Sequence, residues 1–368
     1  MNYLDNAATT KVSVEVLNEM LPVFMDEFYN ASSNYEKSKI ISEKIKTARE
    51  NCAKIIGAKS EEIIFTSGST ESINYALKGY LEENFEQGNH IITTKTEHKA
   101  ILATLEYLES RGVDVTYLDV NKEGLIDLEQ LHKSILPSTC LIAIMLVNNE
   151  TGVVQNLKKI GEIARVNKIK VFCDATQGIG KMPIDVEELG IDMLCASAHK
   201  LYGPKGVGFL YKRKDIQLTP LLHGGSQEKG QRGGTYNSPL IIGFGKACEL
   251  ALGRLDKHLA YVKELNKYAR EQLSKRADIH IISKNEISTP YILNFAVDNF
   301  DANIFIDKNK DLAVSNGSAC TSRIIEPSHV LLAMGYDKNQ CQGAIRISFS
   351  YENTKADIDD LLNLIDVR

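Results

Sequence analysis

Met193-Leu-Cys-Ala-Ser-Ala-His-Lys200 opens as a short apolar run and closes on a histidine and a lysine. The run suits a buried strand, and an ammonium group at its C-terminal edge must be desolvated or paired. Either condition makes that lysine chemically useful. An earlier apolar run, Val171-Phe-Cys173, ends on Asp174-Ala-Thr-Gln177 and sets the opposite charge at the same kind of edge. Working outward, further strands are expected at Ile63-Phe65, His90-Thr93, Asp114-Leu118, Leu141-Val147 and Val207-Tyr211. Amphipathic stretches at Thr70-Glu83, Lys99-Ser110, Leu128-Ile135 and Lys158-Lys168 separate them as helices. Strands alternating with helices predict an α/β fold with a mostly parallel sheet covered on both faces. Ligands of such sheets bind outside the carboxyl ends of the strands. Asp174, Asn148, Asn149 and His199-Lys200 all follow their apolar runs at once, so they should converge on that edge.

A lysine and an aspartate meeting there are what a pyridoxal 5'-phosphate site needs. The lysine forms the Schiff base, and the carboxylate keeps the pyridine nitrogen protonated so that the ring can accept electrons. The polar run Thr66-Ser-Gly-Ser-Thr-Glu-Ser72 opens the helix expected at Thr70. Small residues and a helix N-terminus suit an anion, although any capped helix begins this way. Beside Lys200 the segment becomes the natural cradle for a cofactor phosphate, with Ser197, His199 and Thr235 as further donors.

The chain has 368 residues and a formal net charge of -5, which predicts two domains and argues against a general binder of nucleic acid or anionic membranes. No basic region followed by an apolar stretch opens the sequence, and no apolar run is long enough to span a bilayer. The seven cysteines show neither CxxC nor metal-ligand spacing, so no metal is expected and a reducing, cytoplasmic setting is. Cys140, Cys173 and Cys195 sit in strand-like runs as small hydrophobes. Cys320 differs: Ser315-Asn-Gly-Ser-Ala-Cys-Thr-Ser322 is polar and cannot be a core strand, which makes its thiol the reactive candidate. A long helix is expected over Pro239 to Arg276, followed by strands near Tyr291-Val297 and Ala344-Phe349 and a closing helix at Lys355-Ile365. The organisation is a large cofactor domain over 15–250 and a small α+β domain from 1–14 and 251–368.

Taken in order, these motifs closely resemble the cysteine desulfurases of the NifS/IscS type. The likeness runs from Tyr3-Leu-Asp-Asn-Ala-Ala-Thr-Thr10 through Thr94-Lys-Thr-Glu-His-Lys99, Val147-Asn-Asn-Glu-Thr-Gly-Val-Val-Gln155 and Arg232-Gly-Gly-Thr235 to the Cys320 segment. The resemblance implies the aspartate-aminotransferase fold (fold type I of the pyridoxal phosphate enzymes) and conversion of L-cysteine to L-alanine. It implies that Lys200 binds the cofactor and moves the substrate α-proton, and that Cys320 attacks the substrate sulfur with His98 assisting. Asp174 would pair with the ring nitrogen, Gln177 would bond the ring hydroxyl and His98 would stack on the ring. Ser69, Thr70, Ser197, His199 and, from the other subunit of a homodimer, Thr235 would hold the phosphate. Asn149 and Arg346 would hold the substrate carboxylate, and a sulfur-acceptor protein would take the product.

Read alone, each residue has a plainer role. His98 is a solvent-exposed helix start, Asp174 a turn cap, Arg346 a solvent-facing strand residue and Cys320 an inert loop thiol. Another fold-type I enzyme, such as an aminotransferase or selenocysteine lyase, would share everything except the Cys320 persulfide; a catalytically idle partner protein would share only the fold. The sequence also departs from the family around Phe28-Tyr-Asn-Ala-Ser-Ser33, at Gln227 and Lys229, between Asn299 and Asp311, and in its short C-terminal tail. These departures put tRNA thiolation or DNA phosphorothioation on a par with general iron–sulfur cluster supply.

Overall fold

A computed structural model describes residues 1–316 and 326–367 of the chain. Its strands are β1 (Asn2–Tyr3), β2 (Ile63–Thr66), β3 (His90–Thr94), β4 (Asp114–Leu118), β5 (Thr139–Met145), β6 (Lys170–Asp174), β7 (Met193–Ser197), β8 (Gly208–Lys212), β9 (Ile279–Ile281), β10 (Ile292–Val297), β11 (Leu312–Ala313) and β12 (Ala344–Ser348). The seven from β2 to β8 form one sheet in the order β2-β8-β7-β6-β5-β3-β4. Four pairings are parallel, and only β8 runs against both of its neighbours. Because β8 is reversed, Gly208 at its start pairs with both Ser197 and Thr66, the last residues of the flanking strands.

Side chains of successive strand residues point to opposite faces, and both faces are apolar here. On one face Ile64, Ile91, Leu141, Phe172 and Met193 meet α3 (Ser69–Asn84) and α4 (Lys99–Glu109) through Ile73, Leu77, Ile101 and Leu105. On the other, Phe65, Ile144, Val171, Cys173 and Leu194 meet α1 (Val14–Met25), α2 (Glu36–Lys54) and the first half of the long α7 (Ser238–Leu273). Between these helices in the chain come the shorter α5 (Leu128–Lys133) and α6 (Leu157–Val166). The strands and helices from β2 to β8 agree with the sequence reading to within one or two residues at each end. The first two helices and β9 lay outside that reading.

The smaller sheet is antiparallel, in the order β12-β10-β9. It packs with the second half of α7 (Val262, Leu265, Ala269, Leu273) and the closing helix Lys355–Asp366 in a separate apolar cluster. The N-terminal segment threads between the two bodies. Leu4 belongs to the small cluster, β1 pairs with β11, and Thr10 N–H donates to the His199 carbonyl. That path carries the carbonyls of Ala7 and Ala8 into the crevice outside the carboxyl ends of the large sheet. The Gly224-to-Ser238 stretch, read as a loop, is pinned at Glu228, a buried carboxylate that takes both Arg49 guanidinium nitrogens at 2.6 and 2.7 Å.

Candidate active site

Lys200 leaves the sheet one short turn after β7 and is half-buried. Its Nζ donates to the Ala7 and Ala8 carbonyls at 2.6 and 2.7 Å. Burial, helped by the positive Arg346, pushes it down to about 8, while Asp174 and Asp5 pull the other way. A lysine so placed spends far more of its time as the nucleophilic amine than an ordinary one.

Asp174 ends β6 and is buried. Its Oδ1 accepts from the Thr176 N–H at 2.9 Å and from the Cys195 thiol at 3.4 Å. The turn-cap role is therefore real, and it coexists with the other one. Oδ2 takes no hydrogen bond among the described residues, so it can receive an N–H from a bound group. Gln177, one turn on, is also buried; its amide nitrogen donates to the Ala7 carbonyl at 2.8 Å and its oxygen accepts from Lys181 at 3.1 Å.

The anion end forms where β2, β7 and β8 meet. Gly68 sits before α3 with φ of +151°, a left-handed conformation that favours glycine. A Cβ on Gly208 would stand 2.5 Å from the Ala196 carbonyl oxygen and 2.6 Å from the Gly68 Cα. The backbone closes tightly there because neither residue has a side chain. The α3 N-terminus opens toward this point, with Ser69 held to Thr176 by a 2.7 Å hydroxyl pair, Thr70 exposed and Ser197 buried beside Gly68. His199 bonds Thr9 Oγ1 through Nδ1 at 3.1 Å, and burial with Lys200, Lys205 and Lys181 nearby pushes it down to about 4. It acts as a neutral donor or acceptor at physiological pH.

His98 caps α4: its Nδ1 accepts the Ala100 N–H at 3.1 Å. The neutral ring consequently carries its proton on Nε2. Desolvation holds the imidazole below its ordinary pKa; Asp174 opposes this, and Lys200, His329 and Lys99 add to it. Arg346 corrects the plainer reading of its strand. Instead of facing solvent it is buried, bonded to the Asn149 carbonyl at 2.9 Å and to Asp5 at 2.6 Å, while its Nε has no partner among the described residues. Asn149 is half-buried beside it.

Cys320 lies outside the described residues. The chain on either side is tied to the site: Ser315 pairs through its backbone with Arg346, Ser328 donates to Glu150, and His329 Nε2 lies 3.0 Å from the Glu97 carbonyl. Thr235 makes no hydrogen bond to the other cofactor residues among the described residues; it lines a pocket with Thr66, Ser67, Gln227 and Arg232.

Sequence reasoning missed three buried titratable groups here. Glu97, wholly buried and held by the Met145 N–H, is pushed up to about 8 by burial, with Asp174 adding to the rise. Glu150 rises for the same first reason. Lys181 is pushed down to about 7 by burial, with Lys200 and Arg346 adding to it. Glu97 and Glu150 lie inside quoted motifs and Lys181 four residues past one, but nothing in the sequence marks any of them as buried. No group of three or more His, Cys, Asp or Glu side chains among the described residues could hold a metal, and no helix among them is long and apolar enough to cross a membrane.

The donor set fits pyridoxal phosphate: an acceptor oxygen on Asp174 for a ring N–H, an amine at Lys200, and a glycine-lined helix N-terminus for the phosphate. Comparison with known proteins agrees. A profile of the class-V aminotransferases matches residues 2–361, and the chain belongs to that family. Within it, the chain is 42% identical over 365 residues to the cysteine desulfurase IscS of Methanosarcina thermophila, covering 99% of this chain and 90% of the relative. A solved NifS-like protein superposes with a TM-score of 0.93 at 38% identity, covering 99% of this chain and 98% of its own. SspA in complex with cysteine gives 0.85 at 38%, covering 96% and 100%. The protein is a pyridoxal phosphate-dependent cysteine desulfurase.

Proposed function

We propose that Lys200, His98 and Cys320 carry the desulfuration of L-cysteine to L-alanine, and that the sulfur is held as a persulfide on Cys320 until an acceptor protein takes it. The observation that carries this reading is the convergence of the Lys200 amine, the Asp174 carboxylate and the α3 N-terminus at one sheet edge. Ser69, Thr70, Ser197 and His199 would hold the phosphate, Asp174 the ring nitrogen and Gln177 the ring oxygen, with His98 against the ring face. Bound there, pyridoxal phosphate supplies an electron sink for the charge left when the substrate Cα–H bond breaks. Lys200, as an amine, takes that proton. Arg346 and Asn149 orient the substrate carboxylate, Arg346 already being positioned by Asp5. The Cys320 thiolate attacks the substrate sulfur: a new S–S bond forms, the Cβ–S bond breaks, its electron pair stays with carbon, and Cβ gains a proton.

The chain would act as a homodimer. An exposed apolar stripe on α1 (Val14, Leu17, Leu21, Phe24), continued by Phe28, supports a covered face, and Thr235 would complete the neighbour's phosphate site. The separation of the two apolar clusters along α7 supports a large domain over 15–250 and a small one from 1–14 and 251–368. Cysteines that are all unpaired among the described residues support a reducing, cytoplasmic compartment. The acceptor protein would serve iron–sulfur cluster assembly, tRNA thiolation or DNA phosphorothioation, and co-purification with transfer of labelled sulfur identifies which.

The test of the chemistry is incubation with L-cysteine, alkylation and mass spectrometry. We expect a persulfide on Cys320, and in Cys320→Ser a loss of alanine formation of at least about a thousandfold with the cofactor band retained. Alanine formed by Cys320→Ser at the unaltered rate would overturn the assignment.

A further inference from the structure

Lys181 is a buried cation without a carboxylate. It is 6% exposed, takes part in no ion pair among the described residues, and borders a cavity of about 30 Å³ that it shares with Lys200 and Tyr291. An unpaired buried ammonium is costly. Its neighbours of known charge, Lys200 and Arg346, are both positive and make it costlier. Its one hydrogen bond among the described residues goes to the Gln177 Oε1 at 3.1 Å, and its Nζ lies over the Tyr291 ring, 5.9 Å from the centroid.

That bond has a directional consequence. An amide has an accepting end and a donating end, and which way it points is normally settled by its surroundings. Here the nitrogen end is fixed by a partner that can only accept, and the oxygen end by a lysine that only donates in its ammonium form. Lys181 as an ammonium can only donate, so it must face the oxygen. The Ala7 carbonyl can only accept, so the nitrogen must face it, at 2.8 Å. The same carbonyl takes a proton from Lys200 at 2.6 Å, so the fixed amide lies one carbonyl from the reactive amine. One N–H of the Gln177 Nε2 remains for a bound group.

We propose that Lys181 is a positioning residue that locks Gln177 with its N–H toward the ring oxygen of bound pyridoxal phosphate and, through that amide, favours the anionic form of the oxygen. The inference rests on the reading of Gln177 as the ring-oxygen partner. Without Lys181 the amide is held at one end only, by the Ala7 carbonyl, and can swing its remaining N–H away from the ring oxygen, which disfavours the anion. A negative ring oxygen would also compensate the buried ammonium, which explains why a cation without a carboxylate is tolerated there.

The experiment is a spectrophotometric pH titration of the visible cofactor band in the purified holoenzyme, for the parent, Gln177→Leu, Lys181→Met, Lys181→Arg and the Gln177→Leu/Lys181→Met double variant. We expect Gln177→Leu and Lys181→Met each to raise the midpoint by about one pH unit, Lys181→Arg to restore the parent midpoint, and the double variant to match Gln177→Leu. A midpoint unmoved in Gln177→Leu overturns both the ring-oxygen reading and this inference. A midpoint moved in Gln177→Leu but not in Lys181→Met overturns the inference alone. So does a double variant in which the two shifts add, since Lys181 would then act as an independent charge. Because Lys181→Arg keeps a donor while disturbing packing more than Lys181→Met, a midpoint displaced equally in both assigns Lys181 a packing role and overturns the proposal.

Discussion

Lys200 has to react as a neutral amine, and two features of its surroundings favour that form. Burial comes first and the positive charge of Arg346 second, together pushing it down to about 8. At pH 7 about a tenth of such lysines are unprotonated, against far fewer than one in a hundred for a lysine at its ordinary value. Arg346 is itself held by Asp5, so its removal acts twice: a repelling charge disappears and an attracting carboxylate is released. Arg346→Met is therefore expected to move the midpoint for cofactor capture by the apoenzyme upward by about one unit and to slow capture at pH 7 about tenfold. The measurement is the rate of growth of the visible band against pH. The sign is fixed, because a lysine whose amine form is less favoured must be titrated at higher pH to react. An unmoved midpoint would leave burial as the whole cause. Arg346 also belongs to the proposed substrate site, and the choice of capture without substrate keeps the two roles apart.

The phosphate cradle belongs to three elements, and its tightness comes from where β8 starts. Gly208 lies between the ends of β2 and β7, and a methyl group on it would meet backbone atoms at 2.5 and 2.6 Å. Backbone cannot swing aside as a side chain does, so Gly208→Ala must displace β8 or the Gly68 turn. An overpacked site costs about 1–3 kcal/mol, and the displaced turn carries the helix N-terminus with it. We expect the apparent Kd for pyridoxal phosphate, followed by fluorescence or absorbance titration, to rise at least about tenfold, while the far-ultraviolet spectrum stays that of the parent. Affinity unchanged in a folded Gly208→Ala would show that the turn can yield without moving the anion site. These elements are also where the sequence was most readable. Alternating apolar runs and the residues that end them located β6, β7 and the α3 N-terminus, because each signal is local and its consequence, convergence at the strand ends, follows from topology alone. Arg346 was legible as a motif position but not as a buried group, since alternation on β12 does not say which face is covered. Glu97, Glu150 and Lys181 were not legible at all. Their importance lies in burial without an ordinary ion-pair partner, a property created by chain segments distant in sequence. The Lys181–Gln177 contact, four residues apart, acquires its meaning only from the Ala7 carbonyl that the N-terminal segment brings across.

At the scale of the molecule, two apolar cores share one helix, α7, and the N-terminal segment stitches them together. This arrangement leaves the crevice between them lined by both, with Lys200 and Asp174 from one side and Arg346 from the other. One proposed cofactor residue does not join. Among the described residues Thr235 hydrogen-bonds none of Ser69, Ser197, His199 or Lys200 and lines a pocket with Thr66 and Ser67, which accords with the proposal that it serves another copy's phosphate. In a two-fold dimer each chain would then lend Thr235 to its neighbour, and complementation between two damaged chains follows. Lys200→Ala lacks the amine but keeps a usable Thr235. Thr235→Asp keeps the amine but sets a carboxylate against the neighbour's phosphate. Each homodimer is expected to be inactive, for different reasons. In the heterodimer, isolated by two different affinity tags, one site combines the intact Lys200 of the Thr235→Asp chain with the intact Thr235 of the Lys200→Ala chain, and the other site collects both lesions. The expected rate is about half that of the parent dimer. If Thr235 served its own chain, both sites of the heterodimer would carry a lesion and no activity would return, so an inactive heterodimer of normal sedimentation refutes the exchange.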